Sequence, residues 1–324
     1  MRRKNLDYIR LLAAVLVFVG HARNFNTTGS VLWAHFVSEQ SVYVFFSISG
    51  YLIFKSAQAH RPSAYILRRV SRIMPALIVN LLCISFILSP AVALLNKQTW
   101  QLSDAISFLL KNCSLIPAWQ TSIGDTLDGV GLNQTWNPPL WTLFFEVFCY
   151  VFILLVVHFF RNHNRAALMY LCIIVSISVA ISSSSASTVG LTAIRLLTFF
   201  LMGAMFNYTR VRVAWTVLVF IGIGELLGSG SHIVLNSLVI SFLLFVVLPS
   251  GKQESRFQLT GDYSYGIYIW HWPILQTVFS LEAFIGVSPS WVVSLGIAFP
   301  FVSLIAIASW HLLEKPSLLI LNRV

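Results

Sequence analysis

Long apolar runs separated by short polar stretches make up almost the whole chain. A helix needs about 20 predominantly apolar residues to cross the hydrocarbon of a bilayer. Ten runs meet that requirement, near 6–24, 38–57, 74–95, 138–160, 166–184, 190–208, 213–229, 232–249, 263–281 and 291–312. Short alternating segments, the mark of a transmembrane barrel, are missing from the pattern. The chain therefore reads as all-α, a polytopic integral membrane protein of about ten transmembrane helices. The fifth to eighth runs follow one another with very short connections, and Gly203 and the Ser182–Ser185 run interrupt them. The first run lacks a small-residue cleavage site and leads into further spans, so it reads as an uncleaved anchor.

Composition agrees. Of 324 residues 57% are hydrophobic and only 10% charged, with a mean hydropathy of +0.80. A soluble domain carries about 25% charged residues. The net charge of +10 is no sign of a nucleic-acid partner, because the cations cluster in short loops and so report topology. With the N-terminus in the cytoplasm, sixteen Lys and Arg fall inside and three outside (Arg23, Lys97, Lys111), with Arg10 and Arg195 within spans. That bias makes both termini cytoplasmic. Cys83, Cys113, Cys149 and Cys172 have no metal-ligand spacing, and no metal is expected.

Two loops are long enough to matter. The inner one, 59–75, is basic. The outer one, 96–137, combines Asp104, Asp125 and Asp128 with Trp100, Trp119 and Trp136. Acids and indoles suit a carbohydrate, through hydroxyl hydrogen bonds and stacking, although an interfacial aromatic belt accounts for any single tryptophan as well.

Ionisable residues inside spans are costly and mark candidate sites. Arg10 and His21 are eleven residues apart on the first span, about 20° past three full turns, so they share one helix face about 16 Å apart along the axis. Snorkelling explains Arg10 alone, and an interfacial histidine explains His21 alone. Together, at opposite depths, they suggest a polar path through a helix bundle. Thr142, Glu146 and Tyr150 follow at i, i+4 and i+8 on the fourth span. Glu146 lies at a depth close to that of His21, and an imidazole–carboxylate pair is the expected arrangement. Ser264, Tyr268 and His271 share a face of the ninth span, where a helix kinked by Pro273 is the plain alternative to a catalytic role. Ser49 and Gly50, in "VFFSISG", read first as close helix packing. Arg68, Arg69 and Arg72 precede Pro75 in "RRVSRIMP". They read either as positive-inside charge or as a phosphate clamp, since guanidinium forks match phosphate oxygens.

In order, these motifs resemble acyltransferase family 3, the membrane O-acyltransferases of surface polysaccharides and some small molecules. They are Arg10 and His21; Phe45, Phe46, Ser49 and Gly50; Arg68, Arg69, Arg72 and Pro75; Trp141, Thr142, Leu143, Glu146 and Tyr150; Ser264, Tyr265, Gly266, His271 and Pro273; and Glu314, Lys315 and Pro316. Thr142 stands where serine is commoner, which keeps the hydroxyl. The resemblance implies one membrane domain over 1–324, without the C-terminal esterase-like domain of many relatives, in the bacterial inner membrane.

It also implies cytoplasmic acetyl-CoA as the donor substrate, no permanently bound cofactor, and a surface glycan or its lipid-linked precursor as acceptor. Arg10, Arg68, Arg69 and Arg72 then hold the acyl-CoA, His21 acts as general base and Glu146 orients it. Ser49, Thr142, Tyr150, Tyr268 and His271 are candidate substrate or oxyanion contacts. Acetylation of His21 itself is the second chemical route. A secondary transporter or flippase for a glycan is the alternative from another class, because intramembrane His, Arg and Glu also build proton relays.

Overall fold

The structure is a computed structural model describing residues 4–25, 31–115, 120–129, 134–160, 163, 189–207, 261–287 and 290–321. Helices account for all the regular structure of the described residues, which contain no strand. In chain order they are α1 (Lys4–Asn24), α2 (Leu32–Ala59), α3 (Pro62–Cys83), a π-helical turn (Ile84–Leu88), α4 (Ser89–Asn96) and α5 (Leu102–Cys113). A 3-10 turn (Pro138–Leu140) then leads into α6 (Trp141–Phe159). After these come α7 (Val189–Met205), α8 (Ser264–Phe284), α9 (Trp291–Ser309), a second π turn (Trp310–Glu314) and α10 (Lys315–Leu321).

The expected spans at 6–24, 38–57, 74–95, 138–160, 190–208, 263–281 and 291–312 fall on helices where residues are described, apart from turn residues at the ends of three of them (Phe160, Phe206, Asn207 and Tyr263). Those at 166–184, 213–229 and 232–249 lie outside the described residues. Three helical stretches among the described residues are long and apolar enough to cross a membrane: Pro62–Asn96, Pro138–Phe159 and Trp291–Ile320. α9 leaves Val292, Val293, Ile297, Phe299, Phe301, Leu304 and Ile307 exposed. Such a continuous apolar face suits lipid and not water.

Two boundaries differ from expectation. The basic stretch 59–75 is helical from Pro62 onward, so Arg68, Arg69 and Arg72 ride on α3, and Pro75 sits inside that helix. Pro62 occupies the first helical position, where its missing N–H costs nothing, and the residues after it are ordinary helix formers. The outer loop contains α5, whose one face (Ala105, Phe108, Asn112) is buried.

Prolines shape the helices that remain. In the first π turn the Ser89 N–H bonds the Ile84 carbonyl, an i+5 link. By the same spacing the Ser85 carbonyl faces Pro90, which has no N–H to give. The Trp100 indole N–H donates to that carbonyl at 3.1 Å, and the Ser89 hydroxyl donates to the same carbonyl at 2.9 Å. Trp136 is fully buried, its indole donating to Thr126 Oγ at 3.0 Å. Both tryptophans thus have structural occupations, and Trp119 lies outside the described residues.

The chain divides into two compact units. The first comprises Met1–Arg10, Gln40–Ile66 and Phe145–Leu259; the second comprises Leu11–Glu39, Leu67–Phe144 and Thr260–Val324. Within the first unit, α2 and α7 cross at Gly50 and Gly203. A methyl group on Gly50 would strike the Phe200 carbonyl, and one on Gly203 the Ser47 carbonyl. Backbone approach this close requires residues without side chains. Tyr43 stacks on Phe199 at 4.3 Å, and Asn207 donates to the Tyr51 carbonyl at 3.0 Å. In the second unit α8 and α9 pack together. Gly286, with φ of 72°, ends the last turn of α8, and the Ser294 hydroxyl donates to buried Glu282 at 2.7 Å.

Candidate active site

Three groups of functional side chains emerge, one in the first unit and two in the second.

In the first unit Glu146 projects from α6 and accepts hydrogen bonds from the Tyr150 hydroxyl, one turn along, and from Ser49 Oγ of α2 at 3.4 Å. The shared face of Glu146 and Tyr150 follows from their i, i+4 spacing. Tyr65 Oη fastens the Tyr150 carbonyl at 3.0 Å. Glu146 is half-buried and Tyr150 buried.

The second unit places His21 of α1 beside His271 of α8. Their Nδ1 and Nε2 atoms are 2.8 Å apart and the rings lie 20° from parallel, with centroids 5.1 Å apart. His271 is fully buried, whereas His21 is half-buried. The Trp272 ring meets His21 edge-on at 5.3 Å, and Phe18 flanks His271 at 5.6 Å. His271 Nδ1 reaches the carbonyl oxygens of Tyr268 at 2.7 Å and Ile267 at 3.2 Å.

The turn that carries His271 is pinned from outside its helix. Pro273 has no N–H for the Ile269 carbonyl four residues back. Asn80 and Asn137 donate their amide N–H groups to that carbonyl, each at 3.0 Å. Asn137 also donates to Asn80 Oδ1 at 3.0 Å. Alongside, Thr142 Oγ and Tyr268 Oη lie 2.6 Å apart and share the Pro139 carbonyl at 3.1 and 2.9 Å. These two hydroxyls clamp the 3-10 turn against α8, with their protons committed to each other and to Pro139.

The third group centres on Arg72. Its guanidinium donates to Asp262 Oδ2 at 2.7 Å and also to Glu314 Oε2. The remaining carboxylate oxygens are taken by Ser264, at 2.5 Å from Asp262 Oδ1, and Ser309, at 3.1 Å from Glu314 Oε1. Tyr265 and Trp310 stack on the cation at 5.7 and 5.2 Å. Every oxygen of the two acids has a donor, so buried charge is compensated as it must be. This occupation differs from the phosphate contact expected of Arg72. Arg68 and Arg69 stand half-buried on the preceding turn.

The sequence reading put His21 with Glu146. Within its own unit each has other partners, His271 for the one and Tyr150 with Ser49 for the other. Arg10 keeps its place on the His21 helix. Asp262, Asn80 and Asn137 were not singled out. An asparagine amid "LIVNLLC" was a readable signal, because a polar side chain inside an apolar span calls for a partner. Asp262, just ahead of α8, looks in sequence like an ordinary helix-start acid. Among the described residues no group of three or more His, Cys, Asp or Glu is arranged to hold a metal ion.

A family model described as an acyltransferase domain matches residues 3–310. The chain belongs to acyltransferase family 3. Among relatives of this acyltransferase is an "O-acetyl transferase" of Shigella phage Sf6, 26% identical, the alignment covering 97% of this chain and 96% of that one. Another is "Nodulation protein 10" of Rhizobium leguminosarum bv. viciae, 25% identical over 98% of this chain and 93% of the relative. No solved structure matches.

Proposed function

We propose that this acyltransferase moves an acetyl group from cytoplasmic acetyl-CoA to a hydroxyl of a surface polysaccharide, O-antigen or exopolysaccharide, or of its lipid-linked precursor. It works in the bacterial inner membrane as a bundle of ten spans with both termini cytoplasmic. The observation that carries the reading is half-buried His21, bonded through Nδ1, in a chain whose family match runs over residues 3–310. Similarity to a relative named O-acetyl transferase supports the choice of acyl group and of oxygen as acceptor.

His21 serves as general base, a task suited to an imidazole near neutral pH. It takes the proton of the acceptor hydroxyl as that oxygen bonds the acyl carbon. The carbon–sulfur bond then breaks, and the CoA thiolate takes the proton back. Glu146, oriented by Tyr150 and Ser49, is the second residue assigned to catalysis. Arg10, Arg68 and Arg69 bind the phosphates of the donor. Arg72 braces α3 against Asp262 and Glu314.

The test compares O-acetylation of the surface glycan by NMR in cells expressing wild-type and His21→Ala protein, alongside thiol release from acetyl-CoA by their membranes. O-acetyl signals and thiol release with the wild type, both lost in the variant, are expected. A variant that acetylates normally refutes the assignment of His21. Membranes that transport glycan but release no thiol refute the enzyme reading.

A further inference from the structure

We infer that His271 is a positioning residue for His21: it fixes the tautomer in which His21 carries its proton on Nδ1 and keeps the lone pair on Nε2. This rests on the assignment of His21 as general base and adds the group that prepares it.

A count of protons carries the inference. The two groups within reach of His271 Nδ1 are the carbonyl oxygens of Tyr268 and Ile267, at 2.7 and 3.2 Å. Carbonyl oxygens only accept, so Nδ1 holds a proton. His271 is fully buried and has no carboxylate among its described partners, where a second proton would create an uncompensated charge. The ring is therefore neutral, and its other nitrogen, Nε2, presents a lone pair. That lone pair faces His21 Nδ1 at 2.8 Å, and such a contact needs a proton between the two atoms. It comes from His21. A neutral imidazole has one N–H, so with Nδ1 protonated the lone pair of His21 lies on Nε2, ready to accept a proton.

The surroundings hold this order in place. Asn80 and Asn137 pin the Ile269 carbonyl in the turn that carries His271. Phe18 flanks one ring and the Trp272 edge closes on the other. His271 thus does for His21 what the aspartate of a Ser-His-Asp triad does for its histidine, selecting the tautomer and bonding the imidazolium as it forms. It does so as a neutral acceptor tied to backbone carbonyls. In the opposite tautomer His21 Nε2 would carry a proton and could not take the acceptor's.

Two measurements test the inference. Nitrogen NMR of histidine-labelled wild-type protein in nanodiscs reads the tautomer without any substitution, using His21→Ala to assign the signals. A protonated Nδ1 and an unprotonated Nε2 on His21 are expected, and the reverse overturns the proposal. Kinetics then compare His271→Leu, which cannot accept from His21, with His271→Gln, whose amide oxygen can. The leucine variant should lose about 10²–10⁴-fold in kcat with KM for acetyl-CoA unchanged, and glutamine should restore most of the loss. Equal activity in both variants overturns the proposal, as does an equal loss in both at wild-type thermal stability. Activity surviving in His21→Ala would instead refute the general-base assignment, a result distinct from either.

Discussion

Replacing Arg72 by methionine separates its two readings, phosphate ligand and centre of a buried cluster. Its side chain is 14% exposed, that of Asp262 7% and that of Glu314 0%. Arg72 supplies one donor to each acid, and Ser264 and Ser309 supply the others. Methionine fills a similar volume but takes the guanidinium away from two neighbouring buried carboxylates. Removing one partner from a buried ion pair costs about 3–5 kcal/mol, and here the acids that remain also repel each other. Glu314→Gln keeps the Arg72–Asp262 pair and weakens a single charge-assisted bond, for about 1.5–3 kcal/mol. The double variant removes the repulsion, so its loss should fall short of the two single losses combined by about 0.5–3 kcal/mol. The assay is denaturant unfolding of purified protein in mixed micelles, with KM for acetyl-CoA measured on the same preparations. A wild-type midpoint for Arg72→Met together with a raised KM refutes the cluster reading and returns Arg72 to the phosphates.

Three further outcomes follow from the same contacts. Removing both amides that cap the Ile269 carbonyl, as Asn80→Ala with Asn137→Ala, leaves a buried acceptor unsatisfied; it should cost about 1–3 kcal/mol in unfolding titrations, more than either single change, since one amide still serves. Gly203→Ala drives a methyl into the Ser47 carbonyl, whereas Gly296 has nothing within 4 Å. The first should destabilise by about 1–3 kcal/mol and Gly296→Ala should not, and equal midpoints would refute the close crossing of α2 and α7. Incubating the protein with labelled acetyl-CoA and no acceptor should leave no label on the chain if transfer is direct; label retained on the wild type and lost in His21→Ala would establish an acyl-histidine step instead.

Hydropathy alone placed the apolar cores of most described helices, because twenty apolar residues in a row leave few other possibilities, but α5, α10 and the first turns of α2 and α3 lie outside the apolar runs. Boundaries failed where polarity was mistaken for irregularity. The arginines of 59–75 are charged yet helical, since Arg is a good helix former and helix propensity does not depend on burial. At the site, local spacing puts Glu146 and Tyr150 on one face, and there their side chains hydrogen-bond, a relation within one helix. Partnerships between distant segments were not readable in that way. His21 and His271 are 250 positions apart and Arg72 and Glu314 are 242 apart, and periodicity carries no information about which helix lies beside which. Depth matching proposed Glu146 for His21 because a carboxylate is the usual partner of an imidazole. A second histidine is a weaker prior, and its suitability appears only when the carbonyls behind it are counted.

Prolines connect those distant segments to the chemistry. Each one inside or just after a helix removes an N–H and leaves a carbonyl that another group must satisfy. At Pro90 the carbonyl is Ser85, and the Trp100 indole takes it, tying the outer loop to the π turn that follows α3. At Pro273 it is Ile269, and the takers are Asn80 on α3 and Asn137 ahead of α6, so one missing hydrogen bond joins three segments at the turn that carries His271. Before Pro316 the chain adopts a π turn, Trp310–Glu314, whose last residue is the fully buried partner of Arg72. The proline of "WHWP" thus frees the carbonyl through which Asn80 and Asn137 hold the turn of His271. Changing Pro273 to alanine would give Ile269 its ordinary helical partner and make the two asparagines redundant. Combined with Asn80→Ala and Asn137→Ala, it should recover much of the stability those changes remove, but not the activity if the hold of those amides on Ile269 is what sets His271 against His21.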